Sequence, residues 1–417
     1  MEVHKARYVY NQQLRPKKQS KWPFVTAILL LLLLLVGVYV GFTLRQKVPP
    51  LTAVVFDAPV LAAEPVSLYW PKEGQAAVGS LSAGPLAVND NTPKPIASMT
   101  KLITALAVLE KAPLTVVTEQ GVNYTYTAED EAAYRAYLAK GGSVLPVNVG
   151  GTISQRQALD ALLVVSANNI ADMLVRAHFG TVEQYIIYAN DMVKRLGLLD
   201  TVVDDASGFS AQTVSTPSDM IVVAQKVLAQ PVLAAIVAQP EITLPAIGVV
   251  KNTNRLLVEP GIIGLKTGLT DEAGYCLLLA SKKQISTTYE ETVIVVLMGQ
   301  KTTTKLYDEA KQVLNGAYPN FAERIVAPKG YVVGDIKSAW SERSLLITQD
   351  DLYATGWKGS EIKTTAVLQQ NELTSVEANQ PVGTLTLAVQ NQETSIVAQS
   401  LIDPPKLIWR LLHAFKN

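Results

Sequence analysis

Three short strings hold the side chains best placed to do chemistry in this chain: Ser98-Met-Thr-Lys101, Ser166-Ala-Asn168 and Lys266-Thr-Gly268. A serine hydroxyl is a poor nucleophile until a base takes its proton. On a helix, residues three apart share a face one turn on, so Lys101 can reach the Ser98 hydroxyl. The Ser98 amide would lie at the positively polarised helix N-terminus. Lysine acts as a base only where burial or a neighbouring cation lowers its pKa. Lys266 could be that cation, and it sits on a strand-like stretch where an extended peptide can dock edge-on. Lys266 and Thr267 would then face a peptide carboxylate, while Gly268 lets backbones approach closely. Ser166-Ala-Asn168, the only Ser-x-Asn in the sequence, ends the apolar run Ala-Leu-Leu-Val-Val and should emerge from the core into a cleft. Its serine can relay a proton to a leaving amine, and its asparagine can hold a carbonyl.

Each string also has a plainer explanation. Lys-Thr-Gly can be a surface lysine before a turn, and Ser-x-Asn a helix-capping turn. Ser-x-x-Lys recurs as Ser360-Glu-Ile-Lys363, to which no role is assigned. The setting separates Ser98: Pro93 and Pro95 precede it, Ala97 is small, and Leu102, Ile103, Leu106 and Leu109 follow at helical spacing. The third string extends from Gly264 to Cys276, too long a pattern for chance.

The rest of the composition removes competitors. Lysine plus arginine and aspartate plus glutamate stand at 36 each, which gives no reason to expect nucleic acid. The single cysteine, Cys276, allows no intrachain disulfide and no cysteine-based zinc site, and no metal or cofactor is implied. The histidines are His4, His178 and His413, and nothing near His178 resembles a nucleophile elbow. A lysine is therefore the better base for an activated serine.

Residues 1–22 form a basic tail with Lys5, Arg7, Arg15, Lys17, Lys18 and Lys21 against Glu2. Residues 23–44 are apolar apart from Thr26 and Thr43, roughly 33 Å of helix at ~1.5 Å per residue, enough to cross a bilayer. The charge order predicts a membrane anchor with a cytoplasmic N-terminus. A cleaved signal peptide has the same charge order but a shorter core and a small-x-small site. Residues 45–66, rich in proline, alanine and valine, read as a linker. The motifs fall within 67–320, where helix is expected over Ile96–Lys111 and Ile153–Phe179, and strands over Ile262–Thr267, Tyr275–Ser281 and Thr292–Gly299. That pattern predicts an α+β domain with helices packed on an antiparallel sheet. Residues 321–403 read as β-rich, with strands near Gly330–Val333, Thr364–Leu368 and Val382–Val389. Residues 404–417 put Leu407, Ile408, Leu411, Leu412 and Phe415 on one helical face, suited to packing on their own domain or to lying on a membrane.

With these residues in hand, the chain resembles the serine-type D-alanyl-D-alanine carboxypeptidases, low-molecular-weight penicillin-binding proteins of β-lactamase/transpeptidase-like fold. Pro95-Ile-Ala-Ser-Met-Thr-Lys-Leu-Ile-Thr104 is similar to the family's serine segment, and Asp204–Ser210 and Ser215–Asp219 to its loop and following helix start. The resemblance implies Ser98 as acyl-ester nucleophile, Lys101 as its base and Ser166 as proton relay. It implies substrate binding by Asn168, Lys266, Thr267 and Gly268, and an oxyanion hole from the backbone amides of Ser98 and Leu269. It implies peptidoglycan stem peptides as substrate, β-lactam antibiotics as inhibitors, and a catalytic domain outside the cell membrane. Two features depart from the family. Residues Val122–Gly142 look like an insertion, and the stretch after Gly299, Gln300-Lys-Thr-Thr-Thr-Lys305, lacks the arginine that commonly helps hold the terminal carboxylate. Lys301 and Lys305 stand where it is expected.

Carboxypeptidase, endopeptidase and transpeptidase activities share these motifs and differ in the leaving group or acceptor that the cleft admits. A β-lactamase must also deacylate rapidly, and no Glu-x-x-Leu-Asn segment lies between Asn168 and Lys266. A non-catalytic penicillin-binding sensor would show a lost catalytic residue, and none of the three motifs is broken.

Overall fold

A computed structural model describes residues 20–244, 247–369, 372–388, 390 and 392–414. The basic tail expected over 1–22 lies mostly outside the described residues, as does Phe415. The first element among the described residues is a helix, Trp22–Arg45, long and apolar enough to cross a membrane.

The motif-bearing region is built on a five-stranded antiparallel sheet. Its strands run in the order Ile262–Thr270, Gly274–Gln284, Glu290–Gln300, Gln75–Ser80 and Gly84–Val88. Side chains alternate across a strand, and this sheet is covered on both faces. In Glu290–Gln300, Ile294, Val296 and Met298 enter a core shared with the central helices. Val293, Val295 and Leu297 enter a second core against the helix Thr303–Ala317. The expected hairpin strands are therefore present, each longer than the sequence suggested.

The helical half centres on the serine helix, Thr100–Lys111. Leu102, Ile103, Ala105, Ala107 and Val108 are all buried, so the helix is enclosed nearly all round. Its buried hydroxyls are paired: Thr104 Oγ1 lies 2.7 Å from Tyr185 Oη and donates to the Ala206 carbonyl at 2.7 Å. The helix expected over Ile153–Phe179 is interrupted. A short strand Thr152–Ser154 leads into the helix Gln155–Asp160, a π-helical turn spans Ala161–Val165, and a new helix starts at Asn168. Ser166 stands at the break with φ 68°, a left-handed conformation that a side-chain-bearing residue seldom adopts.

Residues 45–66 are not simply a linker. Thr52–Val55 pairs with Val332–Lys337, and Val60–Leu61 pairs with Ile362–Lys363, so this segment supplies both edges of a seven-stranded sheet otherwise built after residue 321. Leu51 joins that sheet's core beside Val333, Leu346 and Ile396. A β-branched Thr-Ala-Val-Val run explains the first edge strand, which the flanking prolines hide in a composition count. The C-terminal helix Leu407–His413 packs on the end of the N-terminal helix. Arg410 donates to the carbonyls of Thr43, Leu44 and Gln46 at 3.2, 3.1 and 2.9 Å, carbonyls that a helix end leaves without partners.

Candidate active site

Ser98 sits in a 3-10 turn, Ala97–Met99, one residue ahead of the serine helix. Ala97 has φ 47°, so the chain bends sharply just before the nucleophile candidate. Lys101 Nζ donates to Ser98 Oγ at 2.7 Å and to the Ser207 carbonyl at 2.8 Å. The second acceptor comes from a loop tied together by one carboxylate. Asp205 accepts from the amides of Ser207, Gly208 and Phe209 at 3.2, 3.0 and 2.8 Å and from Thr213 Oγ1 at 2.7 Å. Gly208 is required there: φ is +75°, and a Cβ would lie 1.8 Å from the Ala97 carbonyl oxygen. The Ser207 carbonyl was not singled out in the sequence, although its loop was.

Lys101 and Lys266 are both buried, at 0% and 1% exposure. Burial drives the Lys101 pKa well below the ordinary lysine value, and the charge of Lys266 pushes the same way, while Asp205 and Asp172 oppose it. Burial lowers Lys266 to about 7. An amine whose charged form is disfavoured by burial, 2.7 Å from a serine hydroxyl, is within reach of that hydroxyl's proton. Asp172, on the helix that Asn168 begins, is pushed up to about 6, chiefly by burial.

The strand Ile262–Thr270 brings the third motif against the first. A Cβ on Gly268 would lie 3.0 Å from the Ser98 amide nitrogen, the Ile96 carbonyl oxygen and Ala97 Cβ. Only a glycine strand can come this close to the serine turn. Thr267 Oγ1 donates to Thr253 Oγ1 at 2.7 Å, whereas Lys266 Nζ turns back to the Thr267 carbonyl at 2.9 Å.

A cleft of about 870 Å³ opens along this seam, lined by Ser98, Ser166, Asn168, Thr267, Gly268 and Leu269 among others. Ser98, Lys101, Ser166, Asn168, Lys266, Thr267, Gly268 and Leu269 thus come from three separate stretches to one place, with Lys101 and Lys266 behind the cleft surface. The segment Val122–Gly142 forms a wall of it. Its helix, Ala128–Ala139, starts with a Thr127–Asp130 capping box, and Asp130 accepts from Arg176 at 2.6 Å. Tyr137 then packs edge-on against Phe209 with ring centres 5.5 Å apart, and Gly142 passes so near Asn168 that a Cβ would lie 2.9 Å from its Nδ2. These wall residues carried no motif and were legible only as an insertion.

Lys301 and Lys305 do not line the cleft, contrary to the position expected for them. They hold Glu73 at 2.8 and 3.6 Å, because the helix Thr303–Ala317 turns Thr303, Leu306 and Tyr307 inward instead.

Residues 86–302, which contain all three motifs, match the D-alanyl-D-alanine carboxypeptidase family over just more than half the chain. The chain belongs to that family. D-alanyl-D-alanine carboxypeptidase DacF of Bacillus subtilis is 24% identical over 75% of this chain and 79% of its own. A D-alanyl-D-alanine endopeptidase of Pseudomonas aeruginosa is 30% identical over 50% of this chain and 70% of its own. Among solved structures, penicillin binding protein 5 from Haemophilus influenzae superposes with a TM-score of 0.57 at 20% identity, covering 82% of this chain and all of that one. The likeness extends past the family-matched span, so the D-alanyl-D-alanine carboxypeptidase fold is shared beyond the motif-bearing sheet.

Proposed function

We propose that this carboxypeptidase removes the terminal D-alanine from peptidoglycan stem peptides through an ester on Ser98. The observation that carries the reading is the 2.7 Å contact between Ser98 Oγ and a fully buried Lys101. Neutral Lys101 takes the Ser98 proton as Oγ attacks the carbonyl carbon of the penultimate D-alanine. The amides of Ser98 and Leu269 receive the negative oxygen. As the carbon–nitrogen bond breaks, Ser166 relays that proton from Lys101 to the departing D-alanine amine, which leaves Lys101 neutral again. Water, activated by the same base, then cleaves the ester and restores Ser98. Thr267, Gly268 and Asn168 align the peptide along the strand edge, and Lys266 acts from behind them, through its charge on Lys101 and the peptide's carboxyl end. A β-lactam ring opens on Ser98 by the first half of the same sequence.

The helix Trp22–Arg45 suits a single-pass anchor, with the N-terminus cytoplasmic and the region 67–320 acting on the wall outside. The β-rich unit spaces that region from the membrane, since its sheet takes its first edge strand seven residues after the anchor ends. The Pseudomonas aeruginosa relative's name favours a second reading, endopeptidase cleavage of cross-linked peptides.

Mass spectrometry of products from a pentapeptide ending in D-Ala-D-Ala and from a cross-linked muropeptide dimer tests both. Release of one D-alanine from the pentapeptide, lost in Ser98→Ala, is the expected result. Cleavage of the dimer alone would favour the endopeptidase, and activity surviving in Ser98→Ala would overturn the mechanism.

A further inference from the structure

We propose that Arg255 grips the terminal carboxylate of the substrate in place of the arginine missing after Gly299. The inference rests on the carboxypeptidase reading and names the group that recognises the free chain end.

Lys266, the cation nearest the motif, is buried and its ammonium is turned to the Thr267 carbonyl. Lys301 and Lys305 are held by Glu73 outside the cleft. The cations that do line the cleft are Lys140, Lys251 and Arg255, and Asp271 and Glu272 line it too. With both signs present, general attraction is weak, and a carboxylate needs a particular partner. Lys140 belongs to the opposite wall, with Gly141, Gly142 and Ser143. Arg255 alone of the three offers a planar fork that matches both carboxylate oxygens.

Its backbone is already fixed for the task. Asn252 Oδ1 accepts from the Asn254 amide at 2.9 Å, and Asn254 Oδ1 accepts from the Leu256 amide at 3.1 Å, capping the short 3-10 helix Arg255–Val258. The Tyr307 hydroxyl donates to the Thr253 carbonyl at 2.9 Å and accepts from the Arg255 amide at 3.4 Å. Thr253, two residues before Arg255, is bonded to the Thr267 hydroxyl at 2.7 Å. The segment is therefore stitched to the strand that would hold the peptide's end, while the guanidinium has no hydrogen bond or ion pair among the described residues. A base tied through Thr253 to Thr267 and an uncommitted tip lining the same cleft are what a carboxylate clamp requires. Thr303 and Tyr307, from the helix beside this segment, line the same pocket and add no second cation.

The test measures kcat/KM for D-alanine release by the full-length protein in detergent. The substrates are a pentapeptide ending in D-Ala-D-Ala and the same peptide with a C-terminal amide. Arg255→Ala should lower the value for the acid on the order of 10–100-fold and leave that for the amide within about threefold. Arg255→Lys, which keeps the charge and loses the fork, should fall between. Equal losses on both substrates, or no loss on the acid, in a variant with wild-type melting temperature would overturn the assignment while leaving the Ser98 mechanism intact. Failure of the wild type to release D-alanine at all would overturn both.

Discussion

Ser98-Met-Thr-Lys101 and Ser360-Glu-Ile-Lys363 are the same four-residue pattern in two settings. The first begins in a tight turn and runs into an enclosed helix, so its lysine lies one turn on, on the same face, and is stripped of water. The second runs from a surface turn into the strand Ile362–Leu368, where Lys363 stays exposed and meets Glu361 at 3.4 Å. Ser360 there uses its carbonyl to accept from Arg324 at 3.4 Å, and among the described residues its hydroxyl makes no hydrogen bond to Lys363. The pattern supplies a serine and an amine in both places. Only the fold at the first supplies their contact and the desolvation that lowers the amine's pKa.

The largest consequence falls on the lysines. Lys101→Ala should lower kcat for D-alanine release by roughly 10²–10⁴-fold, the usual weight of a general base, while Lys363→Ala should leave it unchanged. Lys101→Arg should be nearly as inactive, because a guanidinium keeps its proton. A steady-state assay in which Lys363→Ala matched the Lys101 variants would erase the distinction between the two sites.

Next comes the approach of strand and turn. Gly268→Ala places a methyl 3.0 Å from the Ser98 amide and two neighbouring atoms, so the turn must shift. Activity should drop roughly tenfold or more, with a smaller change in melting temperature. A variant with wild-type kcat/KM would mean that the amide of Ser98 need not hold its present position.

The two buried lysines set a pH signature. Loss of a proton switches Lys101 on as a base, and burial brings that loss well below the ordinary lysine range. Loss of a proton from Lys266, near its value of about 7, removes a buried positive charge beside it. The profile of kcat/KM should be bell-shaped, with Lys101 setting the acid limb and Lys266 the alkaline one. Lys266→Arg, which cannot titrate in this range, should flatten the alkaline limb. An unchanged limb in that variant would assign it elsewhere.

What could be seen in the sequence follows the reach of each interaction. The serine helix, the hairpin strands and the three motifs are legible because each rests on neighbours within a few residues: helical spacing after Ser98, the β-branched run in 292–299, a turn within Gly268–Gly274. The π-helical turn before Ser166 is not, since an unbroken apolar run gives no local reason to stop. Residues 45–66 read as linker in the sequence because the partners of the two strands within them lie some 280–300 residues onward. Arg255 and the Ser207 carbonyl escaped for the same reason. One is a lone cation until Thr253 is seen bonded to Thr267, and the other is a backbone atom that no side-chain pattern marks.

The smallest effect concerns Lys301 and Lys305, exposed partners of Glu73 on the outer face. Replacing both by alanine should change kcat/KM by less than about twofold, as for most surface ion pairs. A selective loss on free-carboxylate peptides would return them to the cleft and weaken the case for Arg255.

The central claim is that fold, not the four-letter pattern, makes one serine reactive. Intact-mass analysis and peptide mapping after brief exposure of the full-length protein to penicillin test it most directly. The account expects one adduct, on the peptide containing Ser98, absent from Ser98→Ala and Lys101→Ala and untouched by Ser360→Ala. An adduct on Ser360, or labelling of Lys101→Ala at the wild-type rate, would contradict it.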